Sequence, residues 1–455
     1  KAVAQENTSI AIAHIDLAAK EAISERLITT LYKEVQHKKS GKTVALRNGR
    51  RWMQIFDPIQ IEKSKERSGL IKHKGTYLIT GGLGELGYAL AHYLVKQYDA
   101  TVALVGRTEL PEKSTWKEYV QQHNESDVIR IRIEKLQQLE EQGGQVFYFA
   151  CDVAEEQQLA RVVAKIEKKT QWIDGVIHAA GIIGNDTVTP IAMLETADFE
   201  RQFTAKVYGI RAIAKVFKNR RLDFCLTTSS LSTVLGGYGF GAYSAANAYM
   251  DAFLNDWNRP NWLNLNLDGL NIGGYGGEGI TKAEIEKVLE QVLPLRDLSQ
   301  VIVSVADLDL RIQHIFAAEE LEEVVEGQVS EDTEYATMAT EINEADQAYT
   351  LTQKRFLNIW RSFFGNPDIQ LQDDFFKLGG DSLRAIKLLG YIYKEMKLKL
   401  SVQELFNYPT IAELSEYLGK ESGEGSLEEE TTIIIPQAPA QALYPLSSMQ
   451  KRLYF

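Results

Sequence analysis

Only two cysteines occur in the 455 residues, Cys151 and Cys225, each alone in a strand-like stretch, FYFACDV and LDFCLTT. Isolated thiols exclude a disulfide framework, and both read as small buried hydrophobes. The seven histidines are scattered without ligand spacing, so no metal site is expected. No apolar run approaches the roughly 18 residues needed to span a bilayer, and no signal peptide opens the chain. A reducing, cytoplasmic compartment without membrane contact is therefore expected. A basic excess is missing too: the formal net charge is −12, which argues against nucleic-acid binding. That acidity is local. Glu319 to Asp346 holds eleven acidic residues and no Lys or Arg, and ESGEGSLEEE after Lys420 adds five more. Both segments read as solvated linkers.

What is present suffices for folded cores, with 44% apolar and 9% aromatic residues. The length predicts two or three domains. The start at Lys1 and the abrupt end at LYF suggest a piece of something longer. KGTYLITGG, ATVALVGR, QVFYFACDV, DGVIHAAG, LDFCLTTSS and WLNLNLDGLN are β-rich runs, and amphipathic stretches such as YALAHYLVKQY and QQLARVVAKIEKK lie between them. Alternation of this kind predicts βαβ units and a doubly wound α/β Rossmann-type domain over residues 71–316. Residues 1–70 lack a glycine fingerprint and read as a smaller αβ unit leading in. Residues 317–349 read as linker. Residues 350–420 carry helical periodicity only, and Ser401 to Glu404 and Thr410 to Glu413 are capping boxes. A small all-α four-helix bundle is predicted there, followed by a second linker over 421–443.

TYLITGGLGELGYALAHYL sets Gly82, Gly84 and Gly87 between a strand and a helix, where a backbone can approach a diphosphate and the helix N-terminus can meet its charge. Leu83 and Leu86 lie in the same loop. The next strand ends in Arg107 and Thr108. An acid near this position suits the ribose hydroxyl of NADH, whereas Arg107 suits the 2′-phosphate of NADPH. Asp152, with Val153 beside it, can accept from an adenine amino group or cap the next helix. The HAAG turn puts Ala179, Ala180 and Gly181 where a backbone must lie against a cofactor. His178 in that turn reads as structural.

TGGLGELG, GRT, CDV, HAAG, TSSLS and YSAANAYMDAF, in this order and spacing, resemble the ketoreductase domain of modular polyketide synthases, a branch of the short-chain dehydrogenase/reductases. The resemblance covers most of residues 1–315 and implies that the lead-in is a structural subdomain. In that family the active-site Lys lies in a K-V-x-G helix and an Asn follows the Tyr. FTAKVYG supplies Lys206; Ser230 comes 24 residues later, Tyr243 another 13, and Asn247 four more. The chemistry fits these residue types. Ketone reduction needs a hydride on carbon and a proton on the developing alkoxide. A phenol of pKa near 10 donates poorly unless a cation such as Lys206 lowers it. Ser230 can hydrogen-bond the carbonyl oxygen. Asn247, one turn from Tyr243, can hold Lys206 or a relay water. Two marks of product configuration are absent: Gly184 and Asn185 occupy the usual Asp positions with Asp186 one residue late, and Leu235 stands where a Trp would.

DDFFKLGGDSLRAIKLL, Asp373 to Leu389, resembles the thiolation motif of carrier domains, in a form closer to peptidyl carriers. The resemblance implies phosphopantetheine on Ser382, added by a separate phosphopantetheinyl transferase that uses coenzyme A. Ser382 is expected to open an amphipathic helix with Leu383, Ile386, Leu389 and Tyr393 facing inward. LYPLSSMQKRLYF, residues 444–455 with the preceding Leu443, resembles the start of a nonribosomal peptide condensation domain. Taken together, these resemblances imply an NADPH-dependent β-ketoacyl reductase acting on a tethered acyl chain, between upstream polyketide and downstream condensation domains. Reduction of an α-keto group is one rival, although no adenylation motif is present. A reductase serving only as scaffold is the other.

Overall fold

A computed structural model describes residues 1–6, 12–18, 24–36, 43–61, 69–182, 188–257, 259–272, 279–295, 298–312, 349–375, 377–378, 382–396, 398, 400, 404–405 and 408–421. Both acidic segments and the condensation-like tail fall almost wholly outside these residues, as do Gly184, Asn185, Asp186 and the start of the Ser401 capping box.

The lead-in contributes α1 (Ala2–Glu6), β1 (His14–Leu17), α2 (Glu25–Gln36), β2 (Thr43–Arg47) and β3 (Arg50–Met53). β2 is central in a three-stranded sheet, parallel to β1 and antiparallel to β3. Its alternating burial leaves Val44 and Leu46 inside.

The principal sheet uses β4 (Thr76–Thr80), β5 (Thr101–Gly106), β6 (Val146–Ala150), β7 (Gly175–His178), β8 (Phe224–Ser230) and β9 (Trp262–Leu267). These are the six runs expected from the sequence. Beyond a short β10 (Leu270–Asn271) and β11 (Ile280–Thr281) pair, β12 (Gln300–Val303) adds a seventh strand that the sequence reading missed. All seven are parallel, in the order β12-β9-β8-β7-β4-β5-β6. Side chains alternate between two cores: Tyr77, Ile79, Val102 and Leu104 enter one, Leu78, Ala103, Val105 and Val176 the other. Helices cover both faces, so the sheet is buried on each side, as a parallel sheet requires. Chain order reverses between β4 and β7, and the crevice at the carboxyl ends of these strands is where such folds take ligands.

The helices around this sheet include α3 (Glu85–Tyr98), α4 (Trp116–Gln122), α5 (Val128–Glu141), α6 (Glu156–Thr170), α7 (Thr196–Phe203), α8 (Gly209–Val216), α9 (Ser232–Leu235), α10 (Gly241–Trp257) and α11 (Lys282–Val292). No helix among the described residues is long and apolar enough to cross a membrane.

The C-terminal unit is helical, with α12 (Leu351–Phe364), α13 (Ser382–Met396) and α14 (Ile411–Glu421). The fourth expected helix lies mostly outside the described residues. Thr410 and Glu413 form the expected capping box, each side chain bonded to the other's backbone N–H at 3.2 Å. Trp360 is fully buried between Phe364 and Phe375, with ring centroids 6.1 and 5.9 Å away. Trp360→Ala should therefore cost about 3–5 kcal/mol. Calorimetry of the whole chain is expected to show one early-melting transition in the variant, with the reductase transition unmoved.

Candidate functional site

The loop after β4 turns on Gly81, whose φ of +68° favours glycine. A Cβ there would lie 2.7 Å from Ala180 Cα and 2.8 Å from the Ala179 carbonyl oxygen, so the HAAG turn packs directly on the glycine loop. A Cβ on Gly87 would stand 2.3 Å from the Gly81 carbonyl oxygen. Gly84 then precedes α3 as its N-cap. The loop and the turn open onto a cavity of about 230 Å³. Leu83, Gly84, Arg107, Thr108, Asp152, Val153, Ala179, Ala180 and Gly181 all line it. Gly82, Leu86 and Gly87 do not: Leu86 belongs to the core, and the two glycines shape the loop from behind.

Gly81, Arg132 and Tyr148 are among the cavity residues that the sequence reading did not single out. Gly81 follows Thr80 directly in the TGG run, where its own glycine was the available signal. Arg132 reaches from α5 to the Thr108 hydroxyl, and the Tyr148 hydroxyl donates to the Thr108 carbonyl at 2.6 Å. Arg107 thus stands beside a second guanidinium. Asp152 Oδ1 accepts the Ala154 N–H at 2.9 Å, fixing the turn before α6 while the residue faces the cavity. Cys151 also lines the cavity, and burial raises its thiol pKa to about 11, so it stays a protonated, inert packing group.

Lys206 comes from a π-helical turn, Thr204–Tyr208, between α7 and α8. Such turns interrupt regular helices and commonly mark functional sites. Lys206 is 5% exposed, lies against Gly181 and donates from Nζ to the Thr228 carbonyl. Burial lowers its pKa to about 8, opposed by the Asp251 carboxylate. His178 is held between Thr80 Oγ1 at 2.6 Å and the Ala205 carbonyl at 3.1 Å. Burial first, then Lys206, drives its pKa down to about 3, so it is neutral and structural as expected.

Ser230 ends β8, and Tyr243 and Asn247 lie one turn apart on α10. Burial raises the Tyr243 pKa, while the polar side chains of Ser230 and Asn247 act the other way. Burial is the larger of these effects on the Tyr243 phenol. Asn247 is fully buried; its Nδ2 donates to the Tyr243 carbonyl at 2.9 Å and its Oδ1 has no hydrogen-bond partner. That free acceptor beside Tyr243 suits a proton relay.

Asp251, two turns beyond Tyr243, anchors α10. Its carboxylate accepts from Ser229 Oγ at 2.5 Å and from Asn264 and Asn266 Nδ2 at 2.7 Å each. These bonds join the Tyr243 helix to β8 and β9 beneath Ser230. The sequence motif contains Asp251, yet nothing in its spacing showed this role.

A glycine-shaped cavity, Ser230, Tyr243 and a buried Lys206 thus lie at the carboxyl-end side of the central strands. The family model described as KR domain matches residues 75–267, and that described as phosphopantetheine attachment site matches residues 354–418. The chain carries a KR domain and a phosphopantetheine carrier domain. Relatives include 6-methylsalicylic acid synthase of Aspergillus terreus, 33% identical over 42% of this chain and 10% of that protein. Polyketide synthase PksM of Bacillus subtilis is 26% identical over 82% of this chain and 8% of its own length. Mellein synthase of Phaeosphaeria nodorum is 24% identical over 80% of this chain and 21% of its own length. The chain therefore spans between 8% and 21% of the length of these relatives. The KR fold is shared with a ketoreductase domain from the bacillaene assembly line at TM-score 0.57, 21% identity, 69% of this chain and 74% of that one. It is shared equally with a keto acid-selecting NRPS module that contains adenylation and ketoreductase domains, at TM-score 0.58, 24% identity, 70% and 27%. These structural likenesses speak to the KR fold alone. In the carrier, Ser382 is the first residue of α13 and Leu389 is buried as expected, while the side chains of Ser382, Leu383 and Ile386 lie outside what is described.

Proposed function

We propose that the KR domain reduces a β-ketoacyl thioester carried on phosphopantetheine at Ser382 to the β-hydroxyacyl thioester, using NADPH. The observation that carries this reading is a glycine-shaped cavity with Lys206 buried at its edge, beside the end of β8 that bears Ser230 and the start of α10 that bears Tyr243. The cavity fits a dinucleotide because Gly81 and Gly87 let the glycine loop fold tightly against the HAAG turn and α3 at its wall, and Arg107 and Arg132 offer charge for a ribose phosphate. When bound, the dihydronicotinamide supplies the hydride. Ser230 orients the carbonyl oxygen, and Tyr243 gives its phenolic proton to the alkoxide. Lys206, titrating near neutrality, returns a proton toward Tyr243, with Asn247 Oδ1 as the nearby acceptor.

The test is direct. Ser382 is loaded with a β-ketoacyl- or an α-ketoacyl-phosphopantetheine, NADPH or NADH is added, and intact mass is followed. A gain of two hydrogens on the β-keto substrate with NADPH is expected. No gain on either substrate with cofactor bound would overturn the reductase reading, and gain on the α-keto form alone would move the substrate class. Ser382→Ala should block loading.

A pH profile tests Lys206. The titratable groups that bear on it are neutral His178 and Asp251. A lysine with a lowered pKa loses its proton as pH rises through about 8, so reduction should fall along an alkaline limb there. Asp251→Asn removes the carboxylate that favours the ammonium, and that limb should move to lower pH. Ser229→Ala removes a hydrogen bond to Asp251 but keeps its charge, so it should lower stability and leave the limb in place.

A further inference from the structure

The segment between α9 and α10, Gly236 to Phe240, lies just before Tyr243 and is bent by positive φ at Gly236, Gly237 and Gly239. It is held from behind by the first residues of the chain. Gln5 accepts the Gly237 N–H at 2.6 Å and donates to the Leu235 carbonyl at 2.9 Å. Glu6 accepts the N–H groups of Gly239, at 2.8 Å, and of Ile191. Lys1 Nζ donates to the Val234 carbonyl at 2.6 Å, and Thr189 N–H donates to the Gly239 carbonyl at 2.9 Å. Two segments beside the reductase site are thereby tied into one shape. The backbone groups of this glycine-rich loop would otherwise need water.

What this braced loop presents is apolar. Tyr238 and Val188 both pack against the hydrophobic core of the carrier. A Cβ on Gly390 of α13 would lie 2.7 Å from the Tyr238 hydroxyl, so the phenol occupies the space left by that glycine. Burial, with Glu6 and then Tyr391 nearby, raises the Tyr238 pKa to about 12, which keeps the phenol neutral at this contact. Gly390 is eight residues after Ser382, two helical turns or roughly 12 Å along α13. The carrier thus meets the reductase with the helix that begins at its attachment serine.

We propose that Val188 and the Gly236–Phe240 loop form the docking surface for this chain's own carrier, with Tyr238 reading Gly390 and α1 setting the loop's shape. This deepens the function proposed above, since it rests on the carrier delivering the substrate. Docking raises the local concentration of the tethered ketone at the site, and a free thioester gains nothing from it.

The experiment uses the full chain, with phosphopantetheine on Ser382. Gly390→Leu replaces a mid-helix glycine with a strong helix former, so α13 is not weakened by it. Gly390→Leu and Tyr238→Ala are each expected to slow single-turnover reduction of the tethered β-ketoacyl group by about tenfold, the scale of a modest avidity loss. Reduction of a free β-ketoacyl-N-acetylcysteamine thioester by the same variants should match the parent chain. Unchanged tethered rates in both variants would overturn the proposal, as would an equal loss on the free thioester. A second readout needs no catalysis. With p-benzoylphenylalanine at position 238, irradiation should give a monomeric cross-link to the 382–396 peptide, and Gly390→Leu should suppress it. A cross-link elsewhere, or none, counts against docking. If the parent reduces neither substrate yet cross-links as described, the docking surface stands and the reductase reading falls.

Discussion

Replacing Tyr243 with Phe is expected to slow reduction of the tethered ketone by about 10²–10⁴-fold, the range for losing a positioned general acid. The substitution deletes one oxygen and keeps the ring, whose neighbour Phe240 sits with centroids 5.7 Å apart. The helix holds its place for a second reason: α10 is fixed from below by Asp251 through three hydrogen bonds of 2.5–2.7 Å. The cofactor cavity is built by other elements, so NADPH titration should give the parent affinity. Single-turnover mass analysis and a fluorescence titration on one preparation separate the two effects. Parent-like reduction by this variant would show that another group donates the proton. Loss of NADPH binding along with turnover would show that Tyr243 acts through the cavity's shape.

Gly87→Ala should cost the nucleotide site at least about 100-fold in NADPH affinity, near 2.7 kcal/mol. The added carbon would lie 2.3 Å from the Gly81 carbonyl oxygen and 2.9 Å from Gly82 Cα. Both are backbone atoms of the turn itself, so neither can swing aside as a side chain would. Relief requires α3 to move off the loop, which opens the turn on which the HAAG segment packs. Gly84→Ala offers a contrast, because its Cβ would meet only the Gly81 oxygen at 3.2 Å and the loss should be smaller. If Gly87→Ala binds NADPH as the parent does, the loop is not the cradle for the diphosphate.

Much of the fold is legible in the sequence. Six strands stand out because each is strongly apolar, and β4 and β9 are buried throughout. The edge strand β12 does not, since it has only four residues and its first is exposed. Lys206, Ser230, Tyr243 and Asn247 emerge through family spacing, and the structure places them on three elements that converge. The π-helical turn under Lys206 leaves no mark, because TAKVY has no composition that separates it from an α-helix. Arg132 sits in an ordinary amphipathic helix, and only the fold carries it to Thr108. Asp251 is in view inside YSAANAYMDAF but has no partners until β8 and β9 are paired.

The strand β12 has a practical consequence for anyone who wishes to excise the reductase. The KR match stops at residue 267, the last residue of β9. Cutting there would strip the outer neighbour from a fully buried strand, WLNLNL, and leave its unpaired amides open to any other chain. The same cut would discard α11, whose Ile285, Leu289 and Val292 complete one core, and Arg311, which pairs with Asp268. A soluble, crystallisable or transplantable reductase should therefore end beyond Arg311, and swaps between synthases that splice at the edge of the match should yield inclusion bodies rather than new products.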